Sequence, residues 1–180
     1  MYKITQYNDI SLDGFIATLD DDTSWIPKSG MIQFEKVLSK NDVVIMGRRT
    51  YEFAVKEKVF PYPCKINAIV THNLTLIKKN GNSNILFYNL TPQKIIDSLS
   101  EQGYKNIFLM GGGKLNTSFL KAGLIDKLIL TIHPIALGKG ISLYEGLNNH
   151  FMFKKLSTKS LQGGSYVVEY KVIGNLQKNP

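Results

Sequence analysis

Two short apolar runs in this chain end in glycine and pass straight into helix-forming segments. They are Val43-Val44-Ile45-Met46-Gly47 before Arg48-Arg49-Thr50, and Ile107-Phe108-Leu109-Met110-Gly111 before Gly112-Gly113-Lys114. Such a run reads as a strand buried on both faces, and a strand that leads directly into a helix is the first half of a parallel crossover unit. The junction is also chemically particular. The first-turn N–H groups of a helix have no partner within it and converge at the positive end of the helix dipole, which favours an anion such as phosphate. Arg48 and Arg49 are the only arginines among the 22 cationic residues, and guanidinium suits bidentate contact with phosphate. The combination points to a nucleotide.

The same alternation organises most of the chain. Tyr2 to Ile10 reads as a strand that Ser11 to Ala17 turns and continues, and Met31, Phe34, Val37 and Leu38 are spaced for a helix over 31–39. A helix is expected over 50–56, strands over 66–71 and 85–88, and a further helix that Thr91 caps, Pro92 begins and Gly103 stops. Residues 115–122 read as a helix and 127–136 as a long strand interrupted by Pro134 at a bulge or edge. The segments 151–160 and 165–173 read as an antiparallel hairpin around Gln162-Gly163-Gly164. The expectation is an α/β fold over residues 1–180 as one domain: a mixed, mostly parallel central sheet flanked by helices, with a C-terminal antiparallel hairpin.

Composition narrows the function. No apolar run approaches the roughly 18 residues of a membrane span, and Met1 to Thr5 begins a strand pattern without a signal peptide. A single cysteine, Cys64, allows no internal disulfide, so a reducing cytoplasm is expected. The net charge of +8 raises the question of nucleic acid, but the lysines are scattered and no arginine-rich or basic-aromatic segment occurs. A solvated basic surface is expected instead. His72, His133 and His150 lack metal-ligand spacing, so no metal site is expected.

The triple glycine is not a dinucleotide fingerprint, because Asn116 stands where the last glycine would fall, and no Gly-Lys-Ser/Thr makes it a P-loop. Each candidate also has a plainer reading. The glycines would allow close strand-helix packing, Arg48 and Arg49 would bridge to Glu52, Asp13 would serve its own turn, and Trp25 would be core rather than the wall of a planar ligand site. Thr71 and His72, at the end of a strand, could join the phosphate site or lie free on the surface.

In combination and in order, the motifs resemble a family. Ser11-Leu12-Asp13-Gly14-Phe15-Ile16-Ala17, Ser24-Trp25-Ile26, Ala122-Gly123-Leu124-Ile125-Asp126-Lys127-Leu128 and Pro134-Ile135-Ala136-Leu137-Gly138-Lys139-Gly140 are similar to the reductase domain of bacterial riboflavin biosynthesis. That domain has the dihydrofolate reductase fold. Met46 to Glu52 and Gly111 to Leu115 are similar to the two NADPH-binding junctions of dihydrofolate reductase. The resemblance implies that Gly47, Arg48, Arg49 and Thr50 hold the adenosine phosphates of NADPH, with Thr71 and His72 near its 2′-phosphate. Gly111, Gly112, Gly113, Lys114, Leu115 and Asn116 would take the pyrophosphate, and Asp13, Gly14 and Ala17 would flank the nicotinamide.

The substrate half departs from the family. The helix start Lys28-Ser29-Gly30-Met31 has no acid before Glu35, so dihydrofolate reduction is not expected. Tyr7, Ala54-Val55 and Met110 stand where riboflavin-type reductases carry a lysine, an acidic pair and a glutamate. The expectation is an NADPH-dependent reductase acting on a small planar heterocycle or carbonyl compound. Trp25, Phe34 and Glu35 would meet the substrate, and Asp13, Tyr7, Glu35 or a water would supply the proton. The rival is a non-catalytic NADP(H)-binding or regulatory module. A homodimer is expected, burying the 127–136 strand or the C-terminal hairpin, because both faces of that strand are apolar.

Overall fold

Ten strands and five α-helices follow from these patterns among the described residues, 2–78 and 84–175, of a computed structural model of the chain. The elements bearing on the central sheet are β1 (Lys3–Ile10), α1 (Lys28–Leu38), β3 (Val43–Gly47), α2 (Arg48–Lys56), β4 (Ile66–Val70), α3 (Leu74–Ile77), β5 (Ile85–Tyr88), α4 (Pro92–Glu101), β6 (Asn106–Gly111), α5 (Gly113–Lys121), β7 (Lys127–Ile132), β9 (Phe151–Ser160) and β10 (Tyr166–Asn175). Two further strands, β2 (Phe15–Ala17) and β8 (Ile141–Ser142), pair with each other in a small separate sheet. In the main sheet β5, β4, β3, β6, β1 and β7 lie side by side and parallel, and β10 and then β9 extend it antiparallel. The α/β architecture and the C-terminal hairpin are as the sequence predicts.

The period-2 alternation of each strand sends side chains to two faces with different cover. On one face Ile4, Ile45 and Leu109 pack with Ile95, Ile96 and Leu99 of α4 and Phe119 and Leu120 of α5. On the other Tyr7, Val44, Met46 and Phe108 pack with Val37 and Leu38 of α1, and Tyr51 of α2 joins them. Each such aliphatic or aromatic side chain contributes roughly 1.5–3 kcal/mol on burial. The distribution also has a topological consequence. The chain leaves β3 towards one face and β6, its neighbour, towards the other, which opens a crevice at their carboxyl ends.

Four local expectations are corrected. Residues 11–17 do not continue β1: Gly14, at φ +85°, turns the chain out, and Ser11 N–H and Oγ both bond to Phe15. The strand over 127–136 ends at Ile132, because Pro134 has no N–H to donate. Thr91 makes no side-chain cap, although Pro92 does begin α4. Helix α1 starts three residues early, at Lys28, after Pro27.

The case for a dimer through β7 also changes. Leu128, Leu130 and Ile129 are all buried within the chain, the first two against Ile10 and Tyr170 and the last in the layer under α1. Strand β9 is the sheet edge and is largely exposed.

Candidate functional site

The two glycine junctions meet at the crevice. Met46 pairs with Gly111, and a Cβ built on Gly47 would lie 3.7 Å from the Gly111 carbonyl oxygen and 3.9 Å from Gly112 N. Thr50 Oγ1 donates to the same carbonyl at 3.4 Å, and Ile16 from β2 closes over Gly112. The Gly111–Gly112 peptide is cis and Gly111 has φ +94°, a conformation open to glycine. Gly47 and Gly112 are the N-caps of α2 and α5. Neither cap is closed by a side chain, and neither first turn carries an acid. Two sets of free N–H groups thus face one crevice.

Asn116 stands behind this arrangement rather than in it. It is fully buried, and its Nδ2 donates to Asn8 Oδ1 and to Leu143 O, while Asn8 Nδ2 donates to Met110 O. These bonds tie α5 and the end of β6 to β1. Asn116 Oδ1 is the buried side-chain atom left without a partner among the described residues, and a Cβ on Gly111 would lie 2.6 Å from it. Lys114 is exposed and reaches Glu145 at 3.5 Å, whereas Leu115 turns into the core.

The two arginines have separate companions. Arg48 reaches Glu52 at 3.5 Å on an exposed face, as the plainer reading anticipates. Arg49 instead donates through Nε and Nη2 to Asp21 Oδ2, at 3.2 and 2.9 Å, across the acidic loop. Both pairs are solvent-exposed, so each contributes about 0–1 kcal/mol and leaves the guanidinium available to a stronger anion. Thr71 and His72 follow β4, one strand beyond Gly47. Thr71 is buried, with Oγ1 accepting from Asn73 N–H, and exposed His72 bonds to Asn89 at 2.6 Å.

In the turn after β1 Asp13 clasps a loop. Its carboxylate accepts from the Ser11 hydroxyl at 2.6 Å, from Leu137 N–H at 3.1 Å and from Gly138 N–H at 2.7 Å. The Ser11 hydroxyl first, then the Gly138 and Leu137 amides, hold this carboxyl below the usual carboxylate range, the wrong direction for a proton donor. Ala17 is buried, its carbonyl pressed on Gly140, where a Cβ has no room.

Of the residues expected to meet substrate, Phe34 lies in an aromatic layer with Tyr7, Tyr62 and Phe108, and Glu35 points to solvent from α1. Tyr7 is 1% exposed; its hydroxyl meets Thr131 Oγ1 at 2.7 Å and Asp9 Oδ1 at 3.3 Å, and burial raises it far above the ordinary phenol value. It holds its proton. Trp25 sits edge-on to His133 with ring centres 5.7 Å apart.

That contact exposes what sequence reasoning missed. Asp9, at the end of β1, meets His133 Nε2 through Oδ1 at 2.8 Å, while His133 Nδ1 meets Ser165 Oγ at 2.8 Å. An acid is therefore present under the start of α1, supplied by a strand rather than by the helix. Burial raises the Asp9 carboxyl, against the smaller opposing effects of His133 and Tyr7. The signal in the sequence was Asp9 itself, a carboxylate where the strand pattern calls for an apolar or small residue.

A cavity of about 420 Å³ lies at the opposite end of the sheet, lined by Lys3, Lys36, Lys40, Lys127 and Lys159 with Glu169 among others. It holds neither glycine junction. No group of His, Cys, Asp and Glu among the described residues could hold a metal ion, and no described helix is long and apolar enough to cross a membrane.

Comparison with known proteins shows the family and the fold. The family model of the RibD C-terminal domain matches residues 3–167. The uncharacterized protein YwjB of Bacillus subtilis (strain 168) is 31% identical over 161 residues, 87% of this chain and 91% of its own. Among solved structures, a Shewanella sp. PV-4 protein of the riboflavin-biosynthesis type superposes with a TM-score of 0.81 at 23% identity, covering 94% of this chain and 98% of that one. The diaminohydroxyphosphoribosylaminopyrimidine deaminase/5-amino-6-(5-phosphoribosylamino)uracil reductase of Thermotoga maritima superposes with a TM-score of 0.77 at 16% identity, over 95% of this chain and 56% of that longer one. At these identities the two structures speak for the fold.

Proposed function

This chain belongs to the RibD C-terminal domain family, and on that premise we propose that it is an NADPH-dependent reductase of a small planar heterocycle or carbonyl compound related to pyrimidinones or pterins. The observation that carries the proposal is the meeting of Gly47 with Gly111 and Gly112 between two uncapped helix N-termini. A dinucleotide has two phosphate groups to hold, and this crevice has two sets of unpaired donors to hold them. Absent side chains at Gly47 and Gly112 leave the backbone open to close approach, which is the fit such a group requires.

Arg48, Arg49 and Thr50 would take the adenosine-side phosphates, with Thr71 and His72 one strand further out. The first turn of α5, from Gly113, would take the pyrophosphate. Asp13 acts at one remove: by holding the 134–138 loop to the 11–14 turn it fixes the edge of the crevice where the nicotinamide would lie. Bound there, the dihydronicotinamide supplies hydride. The protein's part is then proximity and orientation, together with exclusion of water by Ile16 and Trp25. The likeness to the aminouracil reductase of Thermotoga maritima supports the heterocycle class.

The test is spectrophotometric NADPH oxidation against a panel of pyrimidinones, pterins, flavins and quinones. Turnover with a heterocycle or carbonyl compound is expected. Binding of NADPH without turnover of any member would favour the non-catalytic module, and failure to bind NADPH would overturn the proposal.

A further inference from the structure

The 420 Å³ cavity away from the glycine junctions plays no part in the cofactor reading, yet strand register builds it. Thr5 of β1 is level with Lys127 of β7, Ile129 of β7 with Glu169 of β10, and Glu169 and Val167 of β10 with Ser157 and Lys159 of β9, so these residues share one face of the sheet. Helix α1 lies on that face, where its Val37 packs with Tyr7, Ile129 and Val167. Gln33 and Lys36 of α1, with Lys40 just past its end, form one wall. Beyond the helix the face runs out to β9, which is exposed from Lys154 to Ser160. The result is a groove open to solvent.

Its charge is concentrated. Lys3, Lys36, Lys40, Lys127 and Lys159 line it against one carboxylate, Glu169, an excess of four positive charges and half of the chain's +8. Glu169 is taken by Lys127 Nζ at 2.8 Å. None of the other four lysines forms an ion pair among the described residues. Scattered in sequence, the lysines are gathered by the fold, and like charges held together repel one another until an anion lies between them.

A buried donor points the same way. Thr5 is 8% exposed and lines the cavity, and its hydroxyl makes no hydrogen bond among the described residues. A buried hydroxyl without a partner costs stability that a ligand oxygen would restore. No aromatic side chain lines the groove, so nothing there would stack on a base. Gln33, Lys36 and Lys40 recur at spacings of three and four, which sets them in a row roughly 10 Å long, longer than a single phosphate group. A second copy of the chain would bring lysines against lysines.

We propose that this groove is a second anion site, separate from the glycine crevice, and that it holds a compact polyphosphate chain, either inorganic or carried on a small molecule. Lysine ammonium groups act as point charges for the phosphates, and the Thr5 hydroxyl donates to one of their oxygens. The volume lies within the range of about 300–1,000 Å³ usual for small-molecule sites. The site does not depend on the reductase reading.

The test is calorimetric titration of the full chain with sodium tripolyphosphate at low ionic strength, beside inorganic phosphate, ATP and oligothymidylate. Tripolyphosphate is expected to bind at least tenfold more tightly than inorganic phosphate, and ATP to bind this site no better than tripolyphosphate, because its base finds no partner. Lys36→Gln with Lys40→Gln should weaken tripolyphosphate at least tenfold, and Thr5→Val, which keeps the shape and the charge, about tenfold. NADPH affinity should be unchanged in both. Arg48→Ala with Arg49→Ala should leave this binding intact. Undiminished binding in the lysine or the threonine variant overturns the proposal, as does a loss confined to the arginine variant, which moves the anion to the crevice. Oligothymidylate that displaces tripolyphosphate at lower concentration would make the groove a nucleic-acid surface and also overturn it. Should the variants not fold, acetylation of the native protein decides. Tripolyphosphate should protect Lys3, Lys36, Lys40 and Lys159 and leave Lys94 of α4 reactive, and equal reactivity with and without it contradicts the site.

Discussion

Gly47 and Gly111 face each other across the carboxyl ends of two adjacent strands, so that a Cβ added to Gly47 would lie 3.7 Å from the Gly111 carbonyl oxygen. Nothing in the fold requires Gly47 to lack a side chain, since its φ of −80° is ordinary and that contact is relaxed. Its absence matters to whatever approaches the backbone. Gly47→Ala should therefore keep the native thermal midpoint and weaken NADPH by at least tenfold, as expected when a charge-assisted contact is lost. Calorimetric titration beside a melting curve checks both halves.

Gly113 makes the opposite case. A Cβ there would run into the Ser142 carbonyl oxygen and lie 3.0 Å from Glu145 Cβ, both on the segment that carries β8. Gly113→Ala should destabilise the protein by about 1–3 kcal/mol, the usual cost of overpacking. Urea unfolding at neutral pH would show it, and an unchanged midpoint would refute the close approach of α5 to that segment.

The clasp by Asp13 gives a pH dependence of definite sign. Its carboxyl is lowered, so the stability it contributes is present above its unfolded pKa and lost as pH falls through the folded one. Asp13→Ala should be less stable than the native protein at neutral pH, and the difference should shrink below the carboxylate range. Parallel acid titrations of the two proteins test this.

Asp9 has the reverse sign. Its carboxyl is raised, so its contribution is most favourable below the unfolded pKa and is lost as pH rises through the folded value. Asp9→Asn, which still offers His133 an acceptor, should gain stability relative to the native protein on going from mildly acidic to neutral pH. Melting curves across that range would show a variant falling further behind if the sign were wrong.

Much of the architecture was legible because the strands are strongly patterned. Val43 to Gly47 and Asn106 to Gly111 are buried runs ending in glycine, and their parallel pairing follows from the helices between them. The two glycine junctions were legible for the same reason, being local features of sequence. The Asp9–His133 pair was not. Asp9 and His133 are 124 residues apart, and their contact exists only because β1 and β7 pair in a register that places Ile10 opposite Ile132. Sequence spacing also cannot show that Asp13 is occupied by Leu137 and Gly138, or that Tyr7 points into an aromatic layer.

Assembly is open to a direct experiment. With β7 covered within the chain, pairing between copies would involve the exposed edge β9, where Met152 and Leu156 are about half exposed. A homodimer is expected in sedimentation at micromolar concentration, and it should dissociate when Leu156 is replaced by Lys. A 20.3 kDa species in the native protein would rule the dimer out.

The central claim is that the two glycine junctions, with the arginine pair beside them, hold the phosphates of NADPH. Equilibrium titration of the native chain and of Arg48→Ala, Arg49→Ala with NADPH and NADH tests it most directly. The account predicts that the native chain binds NADPH roughly ten- to a hundredfold more tightly than NADH, and that the double variant loses that preference while retaining its fold. Equal affinity of the native chain for the two cofactors, or undiminished NADPH binding by the double variant, would contradict it.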